Sequence, residues 1–118
     1  VEKEQNSSLV ISTEIENIDD LFSKEDALNI YRIIQESFNN VIKHSEAQAS
    51  KLEIKKNPNH LSINIQDNGK GFNVAEKYRD LKSMGLKTLM ERTRFLKGVL
   101  KINSNKGQGT QLQFTIPI

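Results

Sequence analysis

Four stretches of this chain alternate apolar and polar residues, and they arrive in two consecutive pairs rather than singly between helices. Lys51-Leu52-Glu53-Ile54-Lys55 and Leu61-Ser62-Ile63-Asn64-Ile65 flank Asn57-Pro58-Asn59, while Val99-Leu100-Lys101-Ile102 and Gln111-Leu112-Gln113-Phe114-Thr115-Ile116 flank Asn105-Lys106-Gly107-Gln108-Gly109. A period of two puts one side chain set on a buried face, and the Pro- and Gly-bearing connections turn the chain back, so each pair predicts a β-hairpin. Pro117 closes the second. The β-branched run from Leu9 to Ile15 predicts a fifth strand. Ser23 and Asp26 have capping-box spacing and open a stretch to about His44 without Gly or Pro. Ile30, Ile34, Phe38 and Val41 recur there at helical spacing. Leu86, Leu89, Met90, Thr93 and Leu96 give a second helix ending near Gly98, and Val74, Tyr78 and Leu81 a short one between. The order β-α-β-β-(α)-α-β-β predicts an α+β two-layer sandwich, with helices on one face of a mixed, mostly antiparallel sheet.

With 118 residues the chain fits one domain, 1–118, which buries roughly two-thirds of its unfolded surface. Seventeen Lys and Arg against 15 Asp and Glu leave a net charge of +2, too little for an electrostatic nucleic-acid binder. Lys87, Arg92, Arg94, Lys97 and Lys101 accordingly read as a solvated helix face. No apolar run approaches the roughly 18–20 residues that span a bilayer, and no signal-peptide pattern opens the chain. The absence of Cys removes disulfides, thiolate zinc sites and Cys nucleophiles together and is compatible with a cytoplasmic location. The sequon Asn6-Ser7-Ser8 matters only in a secreted protein. A chain opening on Val1 is expected to be a piece of a longer protein, with the polar stretch from Val1 to Ser7 as its frayed end.

Chemistry-bearing residues concentrate in four places. On the first helix, Glu36, Asn40 and Lys43 project nearly opposite the apolar stripe, with Arg32 and Asn39 beside them. A carboxylate, an amide and an ammonium in one stripe suit an anionic ligand with a metal: Asn40 offers a neutral oxygen to Mg²⁺, and Glu36 can accept a proton. A solvated face is the plainer reading of that helix taken alone. Asp67-Asn68-Gly69-Lys70-Gly71-Phe72 follows a strand. Asn-Gly is a hairpin signal, but Phe72-Asn73-Val74-Ala75 does not alternate as a returning strand would. Glycines let backbone approach a flat ligand, and an adjacent carboxylate accepts a hydrogen bond from the 6-amino group of adenine but repels the 6-carbonyl of guanine. The alternating acids and terminal Glu of an EF-hand loop are missing. Gly85-Leu86 opens the second helix, where free amides can meet a phosphate, and Gly107-Gln108-Gly109-Thr110 turns into the last strand.

In this order the four places resemble the boxes of the GHKL ATPase superfamily as found in sensor histidine kinases. Glu36-Ser37-Phe38-Asn39-Asn40-Val41-Ile42-Lys43-His44 is similar to its N box, Asp67 to Phe72 to its G1 box, and Gly85-Leu86 with Glu91-Arg92 and Leu96-Lys97-Gly98 to its G2 region. Gly107 to Thr110 resembles its final glycine-threonine motif. Tyr31-Arg32-Ile33-Ile34-Gln35-Glu36 and Met90-Glu91-Arg92 are most similar to the subfamily that partners LuxR-type response regulators. The resemblance covers Leu9 to Ile118 and implies a Bergerat fold that holds ATP between helices and a lid at 73–84. It implies Asn40 as the Mg²⁺ ligand, Asp67 as the adenine contact, Gly69 and Gly71 beneath the base, and Thr110 in support of Asp67. Glu36 becomes the base or orienting group, Lys43 and His44 lie near the phosphates, and Gly85 with Leu86 closes the lid there. The implied chemistry is transfer of the γ-phosphoryl to a histidine, with the protein supplying position and charge neutralisation.

Two positions depart from the pattern: Ser83 stands where relatives often have Gly, and Thr88 replaces a glycine common in the subfamily. Both concern the lid and hence nucleotide affinity. The preceding dimerisation and phosphoacceptor hairpin of such kinases is not in this sequence. The implied partners are therefore that domain of the same protein and, downstream, a LuxR-type response regulator. The chain alone is expected to be a monomer, the whole protein a homodimer, and the location cytoplasmic or the cytoplasmic part of a membrane-bound sensor. His60, near the hairpin turn, reads as an exposed turn residue, and the chain by itself is not expected to phosphorylate itself. A serine-kinase anti-sigma factor and a degenerate nucleotide-binding or protein-docking module without turnover are the alternatives; Leu89-Met90-Glu91-Arg92 favours the histidine kinase over the first, and Glu36 with Asn40 argue against the second.

Overall fold

A computed structural model describes residues 9–74 and 85–118, the side chain of His44 excepted. The opening 1–8, the short helix expected through Tyr78 and Leu81, and most of the expected lid, including Ser83, lie outside the described residues. Among the described residues the elements run β1 (Val10–Ile15), α1 (Lys24–Asn40), a π-helical turn (Val41–Ser45), β2 (Ala49–Lys56), β3 (His60–Asp67), α2 (Leu86–Phe95), β4 (Val99–Ser104) and β5 (Thr110–Pro117). The strands form one five-stranded sheet in the order β1-β2-β3-β5-β4. Only β1 and β2 are parallel; the other pairs are antiparallel. The expected α+β sandwich with a mixed sheet is what the chain forms.

The alternation sets which face is buried. Leu52 and Ile54 of β2, Leu61, Ile63 and Ile65 of β3, and Leu112, Phe114 and Ile116 of β5 all point to one side, where Ile30 and Ile33 of α1 and Leu86 and Leu89 of α2 cover them. Burying eight large strand side chains on one face, at about 1.5–3 kcal/mol each, is the main force holding the layers together. The opposite face is mostly polar at its centre, where Ser12, Lys51, Gln66, Gln111 and Asn103 stand in register across all five strands, while Val10 and Val99 stand exposed on it at the two edge strands. The edge strand β1 is exposed along its length, although Lys51 ties it to β2 through Glu14 at 3.1 Å.

The first helix starts as its capping signal predicts, with Ser23 Oγ accepting from the Asp26 N–H at 3.1 Å. It differs from expectation in which face it buries and where it ends. The fully covered positions are Ile30, Ile33 and Ser37, while Ile34 and Phe38 are half-buried. The helix is thus rotated about its axis, so that α2 as well as the sheet packs on it, and Glu36 and Asn40 flank the buried side instead of opposing it. Regular α-helix stops at Asn40, and Val41–Ser45 continue as a π-helical turn. Ser45 holds that turn: its hydroxyl donates to Val41 O at 2.7 Å, its carbonyl accepts the Lys70 N–H at 2.7 Å, and Glu46 leaves it in the left-handed region.

Candidate functional site

The ends of β3 and β5 and the π-helical turn of α1 converge on one cavity of about 330 Å³. Its apolar floor is the last of the core, Ile65, Phe72, Leu86 and Leu112. Ser37 and Ser45 line it too, both with hydroxyls returned to the carbonyl four residues back, so these positions keep space open without presenting an unpaired polar group. The mouth carries two cations, Lys43 and Lys70, the second paired to Glu46 at 3.4 Å. Volume, apolar floor and a few placed polar groups are the features of a small-molecule site.

Asp67 ends β3 directly opposite Thr110, the first residue of β5. Its Oδ1 accepts the Gly69 N–H at 2.8 Å, and the Thr110 N–H also faces the carboxylate. Burial nevertheless dominates and raises the Asp67 pKa above its ordinary 3.8, the two amides lowering it only in part. A half-buried carboxylate in an apolar-floored cavity is an acceptor poised for a ligand donor. Thr110 also lines the cavity, and its hydroxyl lies 2.8 Å from the Ser104 Oγ.

At the other end stand the N-box residues. Asn40 lines the cavity, and its side-chain nitrogen is buried with no hydrogen-bond partner among the described residues. A buried amide donor without a partner is costly unless something fills its place. Phosphate oxygens at this nitrogen, and a cation at the amide oxygen, would complete it, so the residue fits a Mg–nucleotide. Among the described residues no cluster of three or more His, Asp or Glu forms a ready metal site, so a divalent ion here would draw its remaining ligands from phosphate and water, the usual habit of Mg²⁺. Gly85, with φ +67°, sits over Glu36 and Asn40, and α2 starts at Leu86 with no side chain capping its first amides. A helix start of this kind can meet an anion.

Of the residues singled out in the sequence, Asn40, Lys43, Asp67, Gly71, Leu86 and Thr110 line the cavity together. Glu36 and Gly85 lie beside it, against each other. Gly69 is not in its wall; it packs on the backbone of Ser45. The His44 side chain is outside the described ones. Ser37, Ser45 and Ser104 carry no signal as site residues in the sequence, because small polar residues at buried positions have no pattern of their own. Asn68 belongs to the G1-like box but serves the fold, its Oδ1 accepting the N–H groups of Gln48 and Ala49, both at 2.9 Å.

Residues 25–118 match the family described as "Histidine kinase-, DNA gyrase B-, and HSP90-like ATPase". The signal transduction histidine-protein kinase/phosphatase DegS of Bacillus subtilis is 34% identical over 90 residues, which are 75% of this chain and 23% of that protein. The sensor protein VraS of Staphylococcus epidermidis is 36% identical over 90 residues, 76% of this chain and 25% of that protein. The chain thus spans about a quarter of the length of these relatives. Among solved structures, the histidine kinase domain of the Erythrobacter litoralis EL346 blue-light activated histidine kinase superimposes with a TM-score of 0.81 at 17% identity, over 98% of this chain and 60% of that one. That likeness establishes the fold.

Proposed function

The chain belongs to the histidine kinase-, DNA gyrase B-, and HSP90-like ATPase family, and from that premise we propose that it is the ATP-binding catalytic domain of a sensor histidine kinase in two-component signalling. The observation that carries this reading is one cavity with a raised-pKa carboxylate, Asp67, at its apolar end and the unpartnered amide of Asn40 at its polar end. A nucleotide has the matching order of chemistry, an amino-bearing base followed by phosphates.

In this reading Asp67 accepts from the adenine 6-amino group, with Gly71 and Thr110 against the base and Ile65 and Leu112 beneath it. Lys43, Lys70 and the start of α2 at Leu86 face the phosphates, and His44 is assigned to the same end. Asn40 would hold Mg²⁺ through its amide oxygen; the ion when bound neutralises charge on the phosphate oxygens. Glu36 sits by the phosphate end, where it would orient the attacking imidazole and take its proton. The histidine nitrogen bonds to the γ-phosphorus as the bond to the β–γ bridging oxygen breaks and ADP leaves. The accepting histidine lies on a dimerisation domain of the same protein, a LuxR-type response regulator receives the phosphoryl afterwards, and the domain works in the cytoplasm as part of a homodimer. No helix among the described residues is long and apolar enough to cross a membrane.

Calorimetric titration with ATP and GTP, with and without Mg²⁺, tests the reading on the unchanged chain, Asp67→Asn and Asn40→Ala. ATP is expected to bind in preference to GTP, Mg²⁺ to strengthen binding only where Asn40 is present, and Asp67→Asn to abolish the preference. A folded chain that binds no nucleotide would favour a docking module instead.

A further inference from the structure

The sheet has two open edges, β1 and β4, with no further strand beside either among the described residues. Bonds already made fix which backbone groups those edges present. Val10 and Glu16 donate their N–H groups to Gln48 and Ile54 on the β2 side, so Ile11, Thr13 and Ile15, alternating with them, turn theirs outward. Ile118 donates to Asn59 beside β3, so even-numbered residues of β5 face β3 and odd-numbered ones face β4. Val99, Lys101 and Asn103 therefore bond to β5, and Leu100 and Ile102 turn outward. On the polar face one row of opposed residues runs Glu14, Glu53, Asn64, Gln113, Lys101. It begins acidic at one edge and ends basic at the other. The surroundings share that polarity: residues 14–26 hold six acids and one cation, Lys24, whereas 87–101 hold five cations and one acid, Glu91. Arg94, Lys97 and Lys101 are exposed and have no ion-pair partner among the described residues. Ile15, on the helix side of β1, is left 56% exposed because nothing lies beyond that edge.

We propose that the two edges form one interface whose occupant is a second copy of this chain, β4 of one copy adding to β1 of the next. Within the sheet β4 runs opposite to β1, so a sheet continued from copy to copy pairs them antiparallel. Continued in register, Thr13 stands opposite Ile102 of the next copy, and Ile15 opposite Leu100. These are the residues whose N–H groups point outward, so the ladder of backbone bonds closes. On the polar face the same register sets Glu14 against Lys101 and Ser12 against Asn103, while apolar Ile15 meets apolar Leu100 on the helix side. Charged residues on an edge ordinarily keep sheets apart. Here the signs differ: two β4 edges bring Lys101 near its own counterpart, two β1 edges do the same for Glu14, and only the unlike pair is attractive. The contact is head-to-tail, so each dimer keeps an open edge at either end and the row of copies can grow. The cavity lies at the central strands β3 and β5, away from both edges, and this interface is independent of the nucleotide reading.

Sedimentation velocity on the 118-residue chain, over rising concentration at low salt, is the test. The weight-average mass is expected to climb past the dimer without a plateau. It should return to the monomer in about 1 M salt, where the screening length is only about 3 Å. Lys101→Glu and Thr13→Pro should each weaken association about tenfold or more, the first by setting like charges together, the second by removing an N–H that β2 does not use. Each variant spoils one edge and keeps the other: Lys101→Glu keeps β1, and Thr13→Pro keeps β4. A mixture of the two should therefore form dimers and nothing larger. Should Thr13→Pro not fold, as judged by its melting curve, Ile15→Lys blocks the same edge from an exposed position. A chain that stays monomeric throughout would overturn the proposal, as would association of the unchanged chain that stops at a dimer. A mixture no heavier than the separate variants would overturn it too. None of these outcomes bears on ATP binding, which is measured separately.

Discussion

Gly85 lies over the carboxylate of Glu36: a Cβ on Gly85 would come within 2.6 Å of Glu36 Oε2 and 3.6 Å of Asn40 Oδ1. The start of α2 is thereby seated on the two N-box residues assigned to proton transfer and metal binding, and only a glycine leaves them room. The obstructed atom is the end of a flexible side chain, so an added methyl group displaces the Glu36 carboxylate rather than the backbone. Gly85→Ala is expected to cost about 1–2 kcal/mol of stability from the left-handed backbone. Phosphotransfer to a phosphoacceptor domain supplied in trans should fall by about a hundredfold or more, the contribution of a general base. Glu36→Gln should match the activity loss without the stability loss. Transfer at the unchanged rate by the alanine variant would remove Glu36 from the reaction.

Burial makes Asp67 expensive to keep charged. Its pKa is raised in the folded state, so the folded protein holds that proton more tightly than the unfolded chain does. The charged carboxylate therefore lowers stability above the folded-state pKa, and the penalty is relieved as pH falls through that value toward 3.8. Asp67→Asn, which keeps an oxygen for the Gly69 N–H, should raise the melting temperature near neutral pH, with the gain shrinking in acid. The same substitution should weaken ATP binding and abolish its preference over GTP. A carboxylate kept where it weakens the fold is retained for what it binds. A variant that melts lower than the unchanged chain at pH 7 would contradict this account.

The boxes were legible because each combines a special backbone need with a special side chain. Asp67 beside two glycines, and Gly85 before a helical stripe, are rare as pure fold features. The hairpins were legible because Leu52 and Ile54, Ile63 and Ile65, and Leu112 and Phe114 keep strict alternation against one core. The buried arc of α1 was less so. Apolar spacing points to Ile34 and Phe38, but the tertiary partner α2 draws Ile33 and Ser37 into the core, and a serine whose hydroxyl is returned to its own helix is invisible to hydrophobic periodicity. The second helix ends at Phe95, and it is Lys97, not Gly98, that turns left-handed, against the ordinary preference. The π-helical turn depends on Lys70 and Ser45, residues 25 apart in sequence, which no local window joins.

Asn68 sits inside the G1-like box yet spends its side chain on the fold. Its Oδ1 is shared by the amides of Gln48 and Ala49, which join the π-helical turn to β2. Asn68→Ala should cost about 1–3 kcal/mol in denaturant unfolding, because two amides lose their acceptor, with partial relief from water at this exposed site. Asn68→Asp keeps the acceptor and should recover most of the loss. ATP affinity of the folded alanine variant should change much less than that of Asp67→Asn. A nucleotide loss as large as for Asp67 would place Asn68 in the binding site instead.

Gly69 tests whether the cavity depends on contacts outside its wall. A Cβ there would strike the Ser45 backbone carbonyl and lie 2.7 Å from the Ser45 Cβ, and neither neighbour can swing aside. The φ of Gly69 is not in the left-handed region, so the obstacle is the close approach of two loops. Those loops carry the opposite ends of the site: Asp67 lies two residues before Gly69, and Lys43 two before Ser45. Gly69→Ala must separate them, and the Lys70 N–H would then lose the Ser45 carbonyl it now reaches at 2.7 Å. Stability is expected to fall by about 1–3 kcal/mol, as for other overpacked sites, with ATP affinity falling at least tenfold in the protein that remains folded. Gly107→Ala supplies the comparison. Its Cβ would meet nothing within 4 Å, although φ is +80°, so it shares a backbone cost but not the collision. It should lose stability and keep nucleotide affinity; equal losses of affinity in the two variants would mean that the separation of the loops is not what the site senses.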